Sequence, residues 1–312
     1  MKLAEAIDLY IAKRQAVGEK FYSPSAVLRA FSRCYENRTL VSITPNHVQE
    51  FLAGPRTGPA TRRNKYGILQ VFFKHWLLRE ELHTIPMPPV PPKHTSTFVP
   101  YIYSRSELKQ LLDAVPCCQQ HGTCLMSEVT FRTLLLFLYG TGMRIGEALR
   151  LRLTDVDLGA GVVSVRGTKF YKSRLVPLGH DVHALLRKYL ALPGRCNQND
   201  PPLFQSRKRT AIRLGAVEDS FQRLRQLASV RRDDASPYQP RIHDLRHTFA
   251  VHRLTEWYRN GDDVQSLLPA LSTYLGHVEL HSTQRYLTMT PELLGEANLR
   301  FERYVCGGND ER

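Results

Sequence analysis

A chain of 312 residues with 43 lysines and arginines against 29 aspartates and glutamates carries a formal charge of +14, which favours a polyanionic partner, nucleic acid above all. No run is long enough to span a bilayer and no basic amphipathic segment with a strong apolar face announces a membrane-surface helix. The six cysteines lack a small-scaffold framework and fit a reducing cytoplasm. The length exceeds what one core usually serves, so two domains are expected.

The N-terminus, MKLAEAIDLYIAKRQ, places Glu5 and Asp8 where a secretory signal needs an uninterrupted apolar stretch, and reads instead as a first helix from Leu3 to about Val17. A second helix is expected to open at Ser23-Pro24 and a third at Thr44-Pro45, each a cap followed by proline at the first helical position. The fourth, from Pro59 to Glu81, sets Tyr66, Leu69, Phe72, Phe73 and Trp76 on an inward face. Arg62, Arg63 and Lys65 near its start are candidates for contacts to phosphates or base edges. Residues 1–85 therefore read as one helical domain. Residues 86–100 form a proline-rich, extended linker, and a new helical domain begins with the capping-box pattern Ser104-Arg105-Ser106-Glu107.

Within residues 101–312, Cys117, Cys118, His121 and Cys124 form the only cluster with a metal-site flavour. It lacks a matching second half and reads as a loop between helices, and Cys34, Cys196 and Cys306 stand apart. The apolar LLLFLY helix stops at Gly140-Thr141-Gly142, and a new helix begins with Thr141 as its cap. On that helix Glu147 sits three residues after Arg144 and can hold its guanidinium. VVSVRGTKFYKSRLVPLG reads as two strands of a small three-stranded sheet, Val162–Arg166 and Ser173–Pro177, joined by a loop with Lys169 and Lys172. Leu203-Phe204 is expected to add a short strand and Ala216–Ser229 a basic amphipathic helix. The stretch from His243 puts His243, Arg246 and His247 on one helical face, with His277 just past a helix-ending glycine and Tyr286 nine residues later.

These motifs in this order resemble the tyrosine site-specific recombinases, the family of phage integrases and Xer-type recombinases. The resemblance rests on GTGMRIGEAL (140–149), His243-Asp244-Leu245-Arg246-His247, Leu275-Gly276-His277 and Tyr286, and covers about residues 100–303. It implies a mainly α fold with a small β-sheet and two domains. One is a helical N-terminal core-binding domain that clamps the duplex, the other a mixed α/β catalytic domain whose C-terminal helix, Pro291–Tyr304, docks on a neighbour or on its own domain. The stretch between Arg246 and His277 looks longer than in compact family members, which leaves the placement of Asn260–Leu271 open.

The resemblance also implies roles. Tyr286 is the nucleophile; Arg144 and Arg246 hold the phosphate; Lys169, counted back from Arg174-Leu175-Val176-Pro177-Leu178, is the general acid with Lys172 as fallback. His243 accepts the tyrosine proton or bonds the phosphate, His277 holds a nonbridging oxygen, and Glu147 orients the set. The chemistry agrees with these residue types: without an acidic cluster for magnesium, guanidinium forks that stay protonated stabilise the charge of phosphoryl transfer. A phenol ester is reversible without ATP. The expectation is a site-specific recombinase that needs no metal or cofactor and works as a tetramer on two duplexes, a dimer per site, with or without accessory proteins. It would act in the cytoplasm beside the nucleoid. A type IB topoisomerase and a catalytically silent DNA-binding protein remain as alternatives, and a metal-dependent nuclease lacks paired carboxylates and histidines at ligand spacing.

Overall fold

The computed structural model describes the chain except residues 56, 93–98, 121–123, 168–172, 193–199, 235, 237, 278, 290–292 and 300–312. It divides into two compact units, Met1–Thr97 and Phe98–Arg312. Among the described residues no helix is long and apolar enough to cross a membrane.

The N-terminal unit is built from four helices, α1 (Leu3–Ala16), α2 (Tyr22–Cys34), α3 (Pro45–Leu52) and α4 (Pro59–Leu77). Leu3, Ile7 and Ile11 of α1, Leu28 and Phe31 of α2, Val48 of α3 and the aromatic series of α4 bury into one core, as their three-and-four spacing requires. Tyr10, Phe31, Phe72 and Phe73 meet edge to face in it. Thr44 and His47 close a capping box ahead of Pro45. The cap expected at Ser23 is a correction: α2 starts earlier, behind Phe21 in the left-handed region at φ 37°, and the Ser25 amide donates to the Phe21 carbonyl. Pro24 then falls in the first turn, where a missing N–H costs no helical bond. The segment after α4 packs back on this unit, with the Tyr66 hydroxyl donating to the Pro88 carbonyl at 3.1 Å and Arg63 to that of Pro91 at 2.9 Å.

In the second unit, α5 (Arg105–Asp113) opens with the expected capping box, Ser104 accepting from the Glu107 amide. It is followed by α6 (Val115–Cys118), the apolar α7 (Glu128–Thr141), the single turn α8 (Ile145–Ala148) and an antiparallel sheet ordered β1 (Val156–Asp157), β2 (Val162–Val165), β3 (Arg174–Pro177). In register, Val163 faces Val176 and Val165 faces Arg174. Val163, Val165 and Val176 turn into the core around α7, the period-two alternation of a half-buried sheet. Then come α9 (His180–Leu190), α10 (Leu214–Leu227), α11 (Asp244–Asn260), α12 (Val264–Leu275) and the turn α13 (His281–Gln284).

Two further expectations need correcting. Leu203-Phe204 is no strand: the Leu203 amide donates to the Leu151 carbonyl beside an isolated bridge between Arg152 and Pro202. Thr141 does not cap the helix after it, because its hydroxyl donates to the Phe137 carbonyl at 2.6 Å and the N-cap is Arg144. The stretch Asn260–Leu271 is absorbed without a separate subdomain: Gly261 ends α11, Asp263 caps α12 through the amides of Gln265 and Ser266, and Pro269 lies inside α12. A second apolar cluster joins α11 and α12 through Phe249, Leu254, Leu268, Leu271 and Leu275, and it encloses Tyr286 and Leu293. Leu293 belongs to a helical stretch over 293–299, where Glu296 pairs with Arg259 at 2.8 Å. The remainder of the expected C-terminal helix lies outside the described residues.

Candidate active site

Four chain segments meet at one cationic centre. The first is the break between α7 and α8. Gly142, at φ 58°, closes α7, and a Cβ there would lie 2.3 Å from the Phe249 ring, so glycine is required both by conformation and by the approach of α11. The turn this creates presents Arg144, whose Nη1 donates to Glu147 Oε1 at 2.9 Å and whose Nη2 reaches the Gly276 carbonyl at 3.3 Å.

Glu147 is 5 % exposed and serves a second guanidinium. Arg174, the first residue of β3, donates from Nη2 to Glu147 Oε2 at 2.8 Å and from Nε to the Tyr274 carbonyl at 3.0 Å. Burial alone would raise the Glu147 carboxyl; Arg174 and Arg144 outweigh it and hold its pKa below the ordinary value. Arg174 was read from sequence only as part of a strand. It pairs with a partner 27 residues away, and a long-range pairing of that kind leaves no local pattern.

The third segment starts α11. Arg246 is 3 % exposed and spends two of its five N–H donors on the carbonyls that end two other helices, Gly142 and Leu275, both at 2.8 Å. Burial, then Arg144, lowers its pKa to about 10, so it stays charged at neutral pH. His243 is the N-cap of α11 and its ring meets His247 edge to face at 5.2 Å.

The fourth segment runs from the end of α12. Gly276, at φ 71°, terminates that helix, and a Cβ on it would stand 2.8 Å from an Arg174 nitrogen. His277 follows, its Nδ1 2.7 Å from the buried Thr283 hydroxyl. Its ring stacks on Tyr286 at 6.1 Å. Tyr286 is 3 % exposed and its hydroxyl lies 3.1 Å from His247 Nδ1. Burial raises its pKa, with Arg246 opposing through charge and a hydrogen bond.

The site is therefore cationic and holds its imidazoles neutral. Burial first and then Arg246 lower His243 and His277 to about 4, while burial, His243 and Arg246 lower His247 to about 3. Among the described residues of this cluster, three guanidiniums face one carboxylate. The excess positive charge suits a phosphodiester, whose oxygens gain charge during phosphoryl transfer.

Arg144, Glu147, Arg246, His277 and Tyr286 are thus brought together, with His243 alongside through His247. Lys169 and Lys172 lie outside the described residues. Arg62, Arg63 and Lys65 sit on the other unit: Arg62 is exposed, Arg63 holds Pro91, and Lys65 bonds the Thr57 hydroxyl at 3.2 Å while lying over the Phe51 ring. No group of three metal-ligating side chains occurs among the described residues; His121, Cys196 and Cys306 lie outside them.

Gly276→Ala tests how tightly this geometry is set. The left-handed conformation costs an alanine about 1–2 kcal/mol, and the new methyl displaces the guanidinium that holds Glu147. Thermal unfolding is expected to show a loss of about that size.

Comparison with known proteins gives a consistent set of relatives. The sequence pattern of the Phage integrase family matches residues 104–292. The chain is 35 % identical over 306 residues to y4rB of Sinorhizobium fredii, named as an integrase/recombinase, covering 96 % of each. It is 32 % identical over 231 residues to the tyrosine recombinase XerA of Thermococcus kodakarensis, covering 73 % of this chain and 71 % of that one. A lambda integrase (75–356) dimer bound to a COC′ core site superposes with TM-score 0.64 at 18 % identity, over 90 % of this chain and 96 % of that one, a likeness of fold. The topoisomerase and silent-binder alternatives gain no support from these relatives.

Proposed function

This chain belongs to the phage integrase family, and from that premise we propose how its cationic centre carries out the chemistry. The protein is a tyrosine recombinase, an enzyme that breaks and rejoins DNA. In the proposed reaction Arg144 and Arg246 bind the nonbridging oxygens of the scissile phosphate, His277 holds one of them, and the Tyr286 oxygen attacks phosphorus. The Oη–P bond forms as the P–O5′ bond breaks, leaving a 3′-phosphotyrosyl link. The departing O5′ is a poor alkoxide and takes a proton, a role assigned to Lys169 with Lys172 as second choice. A 5′ hydroxyl from another strand then reverses the step. The phosphoester energy is conserved in the link, so neither ATP nor a metal is required.

What supports this reading is the convergence of Arg144, Arg246 and the His277–Tyr286 segment, three separate stretches, on one positively charged centre. Each protomer brings one Tyr286, and exchange between two duplexes cuts four strands. We therefore propose a tetramer, two copies per site, acting on double-stranded DNA in the nucleoid. Residues 1–85 would clamp the duplex through Arg62, Arg63 and Lys65, residues 86–100 would link, and residues 101–312 would carry the chemistry. Neutralising roughly six to ten phosphates would make affinity fall by ~10³–10⁵ between about 50 and 200 mM salt.

The test is covalent capture from a pool of random-sequence duplexes in EDTA without nucleotide. Wild-type protein is expected to become linked to a defined DNA sequence under denaturing conditions. Capture that appears only with added divalent metal, or none from DNA the protein binds, would overturn the proposal.

A further inference from the structure

The Tyr286 hydroxyl lies 3.1 Å from Nδ1 of His247 and beside the Arg246 guanidinium. A guanidinium has five donors and no acceptor. Arg246 therefore cannot take the phenolic proton, and with His247 in the Nε2–H tautomer its Nδ1 lone pair, 3.1 Å away, is the acceptor that proton meets among the described residues. His243, the residue assigned to this proton by family resemblance, touches the ring of His247 instead. The rings of His247 and Tyr286 lie 5.6 Å apart at a tilt of 54°, and Tyr286 is 3 % exposed, which leaves bulk water little access to the phenol.

We propose that His247 is the catalytic residue that takes the Tyr286 proton during DNA cleavage and returns it during religation. The proposal rests on the tyrosine-recombinase reading above. As the Oη–P bond forms, the phenolic proton passes to Nδ1 and the P–O5′ bond breaks, the departing O5′ being protonated by a separate acid. On religation the attacking 5′ hydroxyl expels Oη, which recovers its proton from the imidazolium. Charge and proton count balance in each direction.

The surroundings make this transfer depend on DNA. The groups that face His247 are His243, Arg246, Arg241, Arg285 and Tyr286, and burial together with those cations disfavours an imidazolium in the free protein. A phosphodiester seated between Arg144 and Arg246 offsets their charge. The acceptor therefore gains basicity when a substrate is in place, and the nucleophile stays protonated otherwise.

Single-turnover cleavage tests the assignment, using a duplex recovered by covalent capture on the wild-type protein and nicked beside the cleavage point so that religation fails. Tyr286→Phe is the blank. His247→Ala is expected to cleave about 10²–10³-fold more slowly. His247→Asn places an amide oxygen near the position of Nδ1; it holds the phenol but takes no proton, and is expected to be as slow as the alanine variant. Cleavage by both variants is expected to rise about tenfold per pH unit, hydroxide replacing the lost base, while wild type stays flat near neutrality and DNA affinity is unchanged. If His247→Ala fails to fold, the asparagine variant carries the test alone. Wild-type rate in His247→Asn would reduce His247 to a positioning role and overturn the proposal, as would a flat pH profile in the slow variants. Absence of adduct with wild type would instead fail the recombinase reading.

Discussion

Tyr286→Phe is expected to abolish covalent capture of DNA and leave DNA affinity unchanged. The substitution removes one oxygen from a side chain that is 3 % exposed, so no surface that meets a duplex is altered. It leaves His247 Nδ1 without its partner, at a cost of about 1–3 kcal/mol for a buried polar group. The ring keeps its stacking on His277, and the fold is expected to survive with a lowered melting temperature. Among the described residues no neighbouring hydroxyl is placed to substitute. The Tyr274 hydroxyl is turned to the Pro177 carbonyl at 3.3 Å and burial raises its pKa to about 12. Thr283 is engaged by His277. The loss should therefore be complete rather than partial, with strand exchange gone and gel-shift affinity retained.

The second large effect belongs to Arg246, which is both a structural and a catalytic cation. Its two nitrogens tie the carbonyls of Gly142 and Leu275 to the start of α11, so the alanine variant leaves two helix-terminal acceptors unpaired in the interior. Each costs about 1–3 kcal/mol, and a destabilisation of about 2–6 kcal/mol is expected in chemical unfolding. Removing its donors from the phosphate costs at least the ~10²–10³-fold of a single oxyanion donor; because its planar fork can present more than one donor, cleavage should fall by roughly 10³-fold or more. Arg246→Lys separates the two roles. An ammonium on a single axis reaches one carbonyl, restores part of the stability and cannot reproduce the planar fork, so its cleavage rate should stay close to that of alanine. Recovery of activity by lysine would mean that charge alone suffices.

The reach of the sequence into this site follows the range of the interactions. Arg144 with Glu147 is a three-residue spacing, and the glycines at 142 and 276 mark helix ends, so those features are legible in any local window. The ordered motifs mark His243, Arg246, His277 and Tyr286 as candidates without any fold. What escaped was the pairing of Arg174 with Glu147 and of His247 with Tyr286, which depends on separations of 27 and 39 residues and on which ring nitrogen faces the phenol. His247 did stand on the expected helical face, and a reading that asked which acceptor the tyrosine proton meets had that signal to use. The misread starts have a similar origin. Ser23-Pro24 is a strong local cap signal, but the Phe21 carbonyl already accepts the Ser25 amide and starts the helix sooner. Leu203-Phe204 has strand composition, yet its partner is the stretch around Leu151, which continues into a turn and offers no ladder.

The residue that carries the DNA is identified directly by digesting the covalent adduct with trypsin and nuclease and finding the modified peptide by mass spectrometry. Cleavage after Arg285 gives a peptide that begins at Tyr286 and ends at Arg300. The expected result is that peptide with a nucleotide joined through its 3′ phosphate to the tyrosine oxygen. A nucleotide on any other residue, or one joined through a 5′ phosphate, would contradict the account.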